Sequence, residues 1–279
     1  MSSSGDSGEE DLTRKQRREQ ARGERKALEQ AEVARVARRT RLIQLSIVAA
    51  IVVVIVVVIV VATGSGGTKV VKKGSKQANA TVTEVGTLLD GIPQSGNTLG
   101  NPKAPVTVQY FGDLECPICK EFTLGALPTL IPKFVRTGQV KIEYHSLETA
   151  TREPEVFKTQ QVAAYAAGKQ NLAWHFIETF YHEQLPEEQE DAGGVTESYI
   201  QGIAQQVPGL DLTQWTNDRS DPELTNEVTT DAQAANDAGF TGTPSFLIGK
   251  TGSKLQPYTP SSLTEPGPFS ETLEKLLKT

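Results

Sequence analysis

The chain has 279 residues, 28 Lys and Arg against 34 Asp and Glu, and two cysteines. It is longer than one minimal domain, and two cysteines exclude both a multi-disulfide framework and a zinc site made of cysteine alone. Residues 81–279 hold 13 Lys and Arg against 26 Asp and Glu, a net −13, which argues against a phosphate-backbone ligand and so against nucleic acid.

Residues 1–13 are small, polar and acidic, have nothing to bury, and are expected to be disordered. Arg14 to Arg41 holds 11 Lys and Arg and no proline. It reads as a solvated helix or as a segment attached to anionic lipid. Leu42 to Ala62 is apolar except for Gln44 and Ser46. That run has the roughly 20 residues that a single transmembrane helix requires. With the basic residues before it, the positive-inside rule makes 1–41 a cytoplasmic tail and puts the rest outside a cell membrane. Val60-Val61-Ala62 loosely resembles a signal-peptide cleavage site, but signal h-regions run about 7–15 residues, so an uncleaved anchor is favoured. Residues 63–80 are rich in Gly, Ser and Lys and read as a flexible linker.

The folded body is expected over 81–279. Thr81–Leu88 and Val106–Phe111 are β-branched or aromatic and predict strands, joined by a loop over Gly91–Pro105. Pro117 suits the first position of a helix that begins at Cys116. The helix is interrupted near Gly125 and Pro128, resumes along Leu127, Leu130, Ile131, Phe134 and Val135, and ends at Gly138. Gln139–Tyr144 predicts another strand. A helical block over about 154–238 has candidate helices at Val156–Ala167, Leu172–Gln184, Thr196–Val207 and Pro222–Ala238. Ser245–Ile248 is a strand, Lys254–Tyr258 its candidate partner, and Phe269–Leu277 a closing helix. The fold class is α/β with a helical insertion.

Cys116 and Cys119 have two residues between them in a first helical turn. Unpaired N–H groups and the helix dipole there favour a thiolate at the first cysteine. Cys116 is then the nucleophile, and Cys119 resolves the mixed disulfide. Half a metal site is a competing reading, but His145, His175 and His182 are scattered, so no metal is expected. A structural staple is another, although so short a loop constrains the unfolded chain little. Asp113 and Glu115 raise the thiol pKa, relay protons to Cys119, or form a solvated acidic turn. Thr243-Pro244 precedes an apolar strand. On its own it is a plain trans proline; after the helical block and before a core strand it is a candidate cis bond. Trp174, Phe176, Phe180 and Tyr181 have helix-core spacing; Trp215 is undecided between core and active-site groove.

Tyr110-Phe111-Gly112-Asp113-Leu114-Glu115-Cys116-Pro117-Ile118-Cys119-Lys120-Glu121-Phe122 resembles the active-site segment of DsbA-like thiol:disulfide oxidoreductases. Thr241-Gly242-Thr243-Pro244-Ser245-Phe246 resembles their cis-proline loop. The Gly91-Ile92-Pro93-Gln94 to Leu99-Gly100 lead-in is similar to that of membrane-anchored Gram-positive members. The resemblance covers about 81–279 and implies a thioredoxin-like fold with an inserted helical domain. It implies no cofactor, Thr243-Pro244 beside the cysteines, and a Thr243 backbone that pairs with an extended substrate segment. Expected partners are unfolded or reduced secreted proteins and a membrane reoxidant of the DsbB or VKOR type. Pro117-Ile118 departs from the Pro-His of the best-known member, and an uncharged Ile118 implies a less oxidising pair. A disulfide oxidase is the leading reading. A reductase or isomerase, or a non-catalytic chaperone-like module, uses the same sequence features. No dimerisation segment is visible, so a monomer is expected.

Overall fold

A computed structural model describes residues 72–279. The tail, the apolar run 42–62 and most of the linker lie outside the described residues. Among the described residues no helix is long and apolar enough to cross a membrane.

Helix α1 spans Lys76–Leu89, where a strand was expected. Ser75 caps it, its Oγ accepting from the Ala78 N–H at 3.1 Å. The buried positions Ala78, Thr81, Val85 and Leu89 have helical spacing, and the β-branched composition concealed that stripe. Packing against a later helix decides the matter. The Thr81 hydroxyl donates to Glu183 at 2.7 Å, and Gln77 donates to the same carboxylate at 2.9 Å. The folded body therefore begins inside the expected linker.

The Gly91–Pro105 loop contains a hairpin of β1 (Gln94–Ser95) and β2 (Thr98–Leu99). β3 (Val106–Gly112) follows, then α2 (Pro117–Gly125) and α3 (Leu127–Leu130). Ile131–Val135 is a π-helical turn in which the Arg136 N–H bonds to the Ile131 carbonyl. Pro132 lacks an N–H and crowds the preceding turn, which accounts for the widened register. β4 (Val140–Ser146) leads to the helical block: α4 (Pro154–Gly168), α5 (Ala173–Glu183), α6 (Glu187–Asp191), α7 (Glu197–Gln206), α8 (Leu212–Asp218) and α9 (Pro222–Asp237). Four of these match expectation. The short α6 and α8 were not foreseen, because neither is long enough to show a period. β5 (Ser245–Lys250), β6 (Gln256–Tyr258) and α10 (Gly267–Lys278) close the chain.

The strand order is β1-β2-β4-β3-β5-β6. β3 and β4 are parallel, with α2 in the crossover; the other pairs are antiparallel. β3 is central and buried on both faces, as its continuous apolar run requires. On one face Tyr110, Phe122, Phe246 and Phe269 form an aromatic cluster with ring centroids 4.8–5.6 Å apart. On the other, Phe111 stacks on His145, whose Nδ1 lies 2.6 Å from Asp231 of α9. The strand ends at Gly112, where a Cβ would lie 2.9 Å from the Tyr144 ring and 3.1 Å from Tyr110. Gly112→Ala is expected to destabilise the protein by about 1–3 kcal/mol through overpacking. An unchanged denaturant midpoint would show that the two rings yield freely.

Candidate active site

β3 delivers the chain to a tight turn, Gly112 to Glu115, in which the Cys116 N–H bonds to the Asp113 carbonyl at 3.0 Å. Cys116 is the N-cap of α2, with Pro117 at the first helical position, as expected. Its Sγ accepts from the Cys119 N–H at 3.3 Å. The Thr243-Pro244 bond is cis, and the Thr243 carbonyl lies 3.5 Å from the same sulfur. Two segments 127 residues apart in sequence thus meet at one atom.

Both cysteines are free thiols here, and their surroundings differ. Hydrogen bonding from the Cys119 thiol pulls the Cys116 pKa down to about 6; burial opposes this, and Thr243 and the Cys119 and Ile118 N–H groups add to it. Neither Asp113 nor Glu115 is among these dominant influences. Cys119 is 0% exposed, and burial pushes its thiol well above the usual range. Next to the low-pKa sulfur, Ile118 leaves 40% of its surface in solvent.

The acidic pair is not a solvated turn: Asp113 and Glu115 are both buried. The Asp113 carboxylate accepts the N–H groups of Thr149, Ala150 and Thr151. Burial first, and the Asp113 charge second, raise the Glu115 pKa to about 7, while a hydrogen bond from Gln160 at 3.0 Å opposes the rise. Sequence reasoning missed Glu190 of α6, whose pKa reaches about 9 through burial and the Glu115 and Asp113 charges. It lies in the acid-rich run Glu187 to Asp191, where no spacing ties one carboxyl to the cysteines. Tyr144 and Tyr181 were also missed as part of this region, which Tyr110 joins from the active-site segment. Tyr181 donates to the Asp113 carbonyl at 3.0 Å and meets the Tyr110 hydroxyl at 3.1 Å. Tyr144 donates to Gln161 at 3.1 Å. The spacing of Tyr181 announced core packing and could not announce its hydroxyl's partner.

Trp174, Phe176 and Phe180 are core residues, as expected. Trp215 is also core: its indole N–H bonds to the Ala163 carbonyl at 2.8 Å. His145 pairs with Asp231, His175 with Gln94, and His182 lies 3.6 Å from Glu84. Among the described residues no three His, Cys, Asp or Glu side chains are placed to hold a metal ion.

The sequence pattern of the thioredoxin family matches residues 94–265. The chain belongs to the thioredoxin family. Within it, a probable disulfide bond formation protein D from Bacillus cereus is 25% identical over 152 residues, covering 54% of this chain and 68% of that protein. The disulfide bond formation protein D of Bacillus subtilis is 29% identical over 92 residues, 33% of this chain and 41% of that one. Oxidised BdbD from Bacillus subtilis superposes with a TM-score of 0.55 at 23% identity, over 67% of this chain and 98% of that one. The α-DsbA1 of Wolbachia pipientis gives 0.55 at 19%, over 65% and 90%. This thioredoxin-family chain is a DsbA-like thiol:disulfide oxidoreductase, and its helical block is the insertion such proteins carry.

Proposed function

We propose that the protein oxidises paired cysteines of secreted proteins outside the cell membrane, with Cys116 and Cys119 as the exchanging pair. The observation that carries this reading is the asymmetry of the two thiols: Cys116, at the helix N-terminus beside Thr243-Pro244, has a pKa near 6, and Cys119 is buried with a raised one. In the disulfide form, a substrate thiolate attacks Cys116 Sγ. The Cys116–Cys119 bond breaks, and Cys119 leaves with the bond pair and takes a proton. A second substrate thiolate then attacks the substrate sulfur of the mixed disulfide and expels Cys116 as a thiolate. The substrate loses two electrons, and the enzyme pair gains them. A low Cys116 pKa favours this direction, because it makes Cys116 the better leaving group.

In this reading residues 42–62 anchor the domain, 1–41 stay cytoplasmic, and the segment after 62 is the tether. A membrane protein of the DsbB or VKOR type restores the disulfide, and the protein works as a monomer. Uncharged Ile118 makes the pair less oxidising than one carrying histidine at that position. Equilibration in glutathione buffers tests the direction. A reduction potential near or above about −180 mV is expected; a value near about −270 mV would make the protein a reductase.

A further inference from the structure

The Asp113 carboxylate faces backbone. Its Oδ2 accepts three consecutive N–H groups, those of Thr149 at 3.0 Å, Ala150 at 2.8 Å and Thr151 at 2.9 Å. Its Oδ1 accepts the Thr151 hydroxyl at 2.6 Å and the Glu115 N–H at 3.1 Å. Converging N–H groups of this kind form a nest for negative charge, and the nest fixes the loop after β4 against the turn that carries Cys116. Thr149, the first of the three residues that bond to Asp113, puts its hydroxyl 2.5 Å from the hydroxyl of Thr243, 94 residues away in sequence. The Thr243 carbonyl is the group 3.5 Å from Cys116 Sγ. A closed circuit therefore runs from Cys116 through Asp113, the 149–151 loop, Thr149 and Thr243 back to Cys116.

We propose that Thr149 is a positioning residue of the exchange site, its hydroxyl holding the Thr243-Pro244 loop where an extended substrate segment pairs with Thr243, and that Asp113 is the anchor presenting Thr149. The proposal deepens the preceding reading and rests on its assignment of Cys116. The Thr149–Thr243 bond lies in solvent, so it adds little to global stability. Its effect is to keep a substrate-accepting backbone in one place before the substrate arrives, which removes part of the ordering cost of binding. Small thiols need no backbone pairing and do not draw on this effect.

The test uses the intact protein in its disulfide form, regenerated by oxidised glutathione with the enzyme-free rate subtracted, and two reductants: a peptide carrying two cysteines in an extended segment, and dithiothreitol. Thr149→Val keeps the volume and removes the hydroxyl. It is expected to raise KM for the peptide about two- to tenfold, the worth of one hydrogen bond, with kcat, the dithiothreitol rate and the thermal midpoint unchanged. Thr149→Ser is expected to restore the peptide KM. Asp113→Asn is expected to raise the peptide KM as well, and adding Thr149→Val to it should raise KM little further, because both act through one contact. An unchanged peptide KM in Thr149→Val overturns the proposal. So does an equal slowing of both reductants with a lowered thermal midpoint, which would make Thr149 a generally structural residue. Additive effects of the two substitutions would remove Asp113 from it. Cys116→Ala, run alongside, separates the two levels: exchange activity in that variant overturns the underlying assignment, whatever Thr149 does.

Discussion

Cys116→Ser is expected to bring disulfide transfer to a reduced peptide down to the uncatalysed background, while reduced Cys119→Ser, given a peptide in its disulfide form, accumulates a mixed disulfide with it. The attacking and leaving species in exchange is a thiolate, and serine at Cys116 supplies neither. With Cys119→Ser, the Cys116 thiolate still attacks a sulfur of the peptide disulfide and expels the other as a thiolate, but the buried thiol that would attack Cys116 and free the peptide is gone. The pKa near 6 adds a pH signature to the reduced protein. Alkylation of Cys116 by iodoacetamide should fall as pH drops through about 6 and level off above it, where the thiolate is fully formed. Cys119 should stay unreactive across neutral pH, being buried with a raised pKa. Non-reducing gels and mass spectrometry of the trapped species check the pair. Retained transfer in Cys116→Ser, or trapping through Cys116→Ser instead of Cys119→Ser, would reverse the assignment.

Glu178→Met is expected to stabilise the protein, and by more at pH 8 than at pH 5. Glu178 lies on α5 with both carboxyl oxygens buried and without a hydrogen-bond partner. Burial raises its pKa from 4.5 to about 8. Below about pH 4.5 the carboxyl is protonated in both the folded and unfolded states, and no pH-dependent cost arises. As pH rises further, the unfolded chain releases the proton and the folded protein holds it, so stability falls until about pH 8. At pH 7 the difference of about 2.5 units corresponds to about 3 kcal/mol. Methionine is close in length and flexible, and it fills the same space without the charge. Denaturant unfolding of both proteins at pH 5 and pH 8 reads the difference. A stability gap that stays constant with pH would mean that Glu178 finds a partner or solvent.

The chemistry was legible in the sequence because it depends on local spacing. Two cysteines three apart, with proline between them and an apolar strand before them, specify a helix N-terminus, where the Cys119 thiol first and the first-turn N–H groups after it lower the Cys116 pKa. The Thr243-Pro244 loop was legible through its resemblance to a known pattern, and the cis bond lies where that pattern put it. The β3 and β4 strands, the closing β5 and β6 and α10 were legible from their apolar runs, while the parallel pairing of β3 with β4 was decided by the tertiary structure. The burial of polar groups was decided only by the tertiary structure. Asp113 and Glu115 have the composition of a surface turn, yet the 149–151 loop and Gln160 fold over them and supply the hydrogen bonds that make burial tolerable. Thr81 to Leu88 has strand composition, yet α5 offers a face and a carboxylate that draw it into a helix. Tyr181 reaches the Asp113 carbonyl across 68 residues of sequence, Thr149 reaches Thr243 across 94, and Glu190 feels the charges of Glu115 and Asp113 from the far side of the insertion's first two helices. Spacing in sequence carries information over a few residues. Which distant side chains share a dry interior depends on how the helical insertion packs back against the sheet.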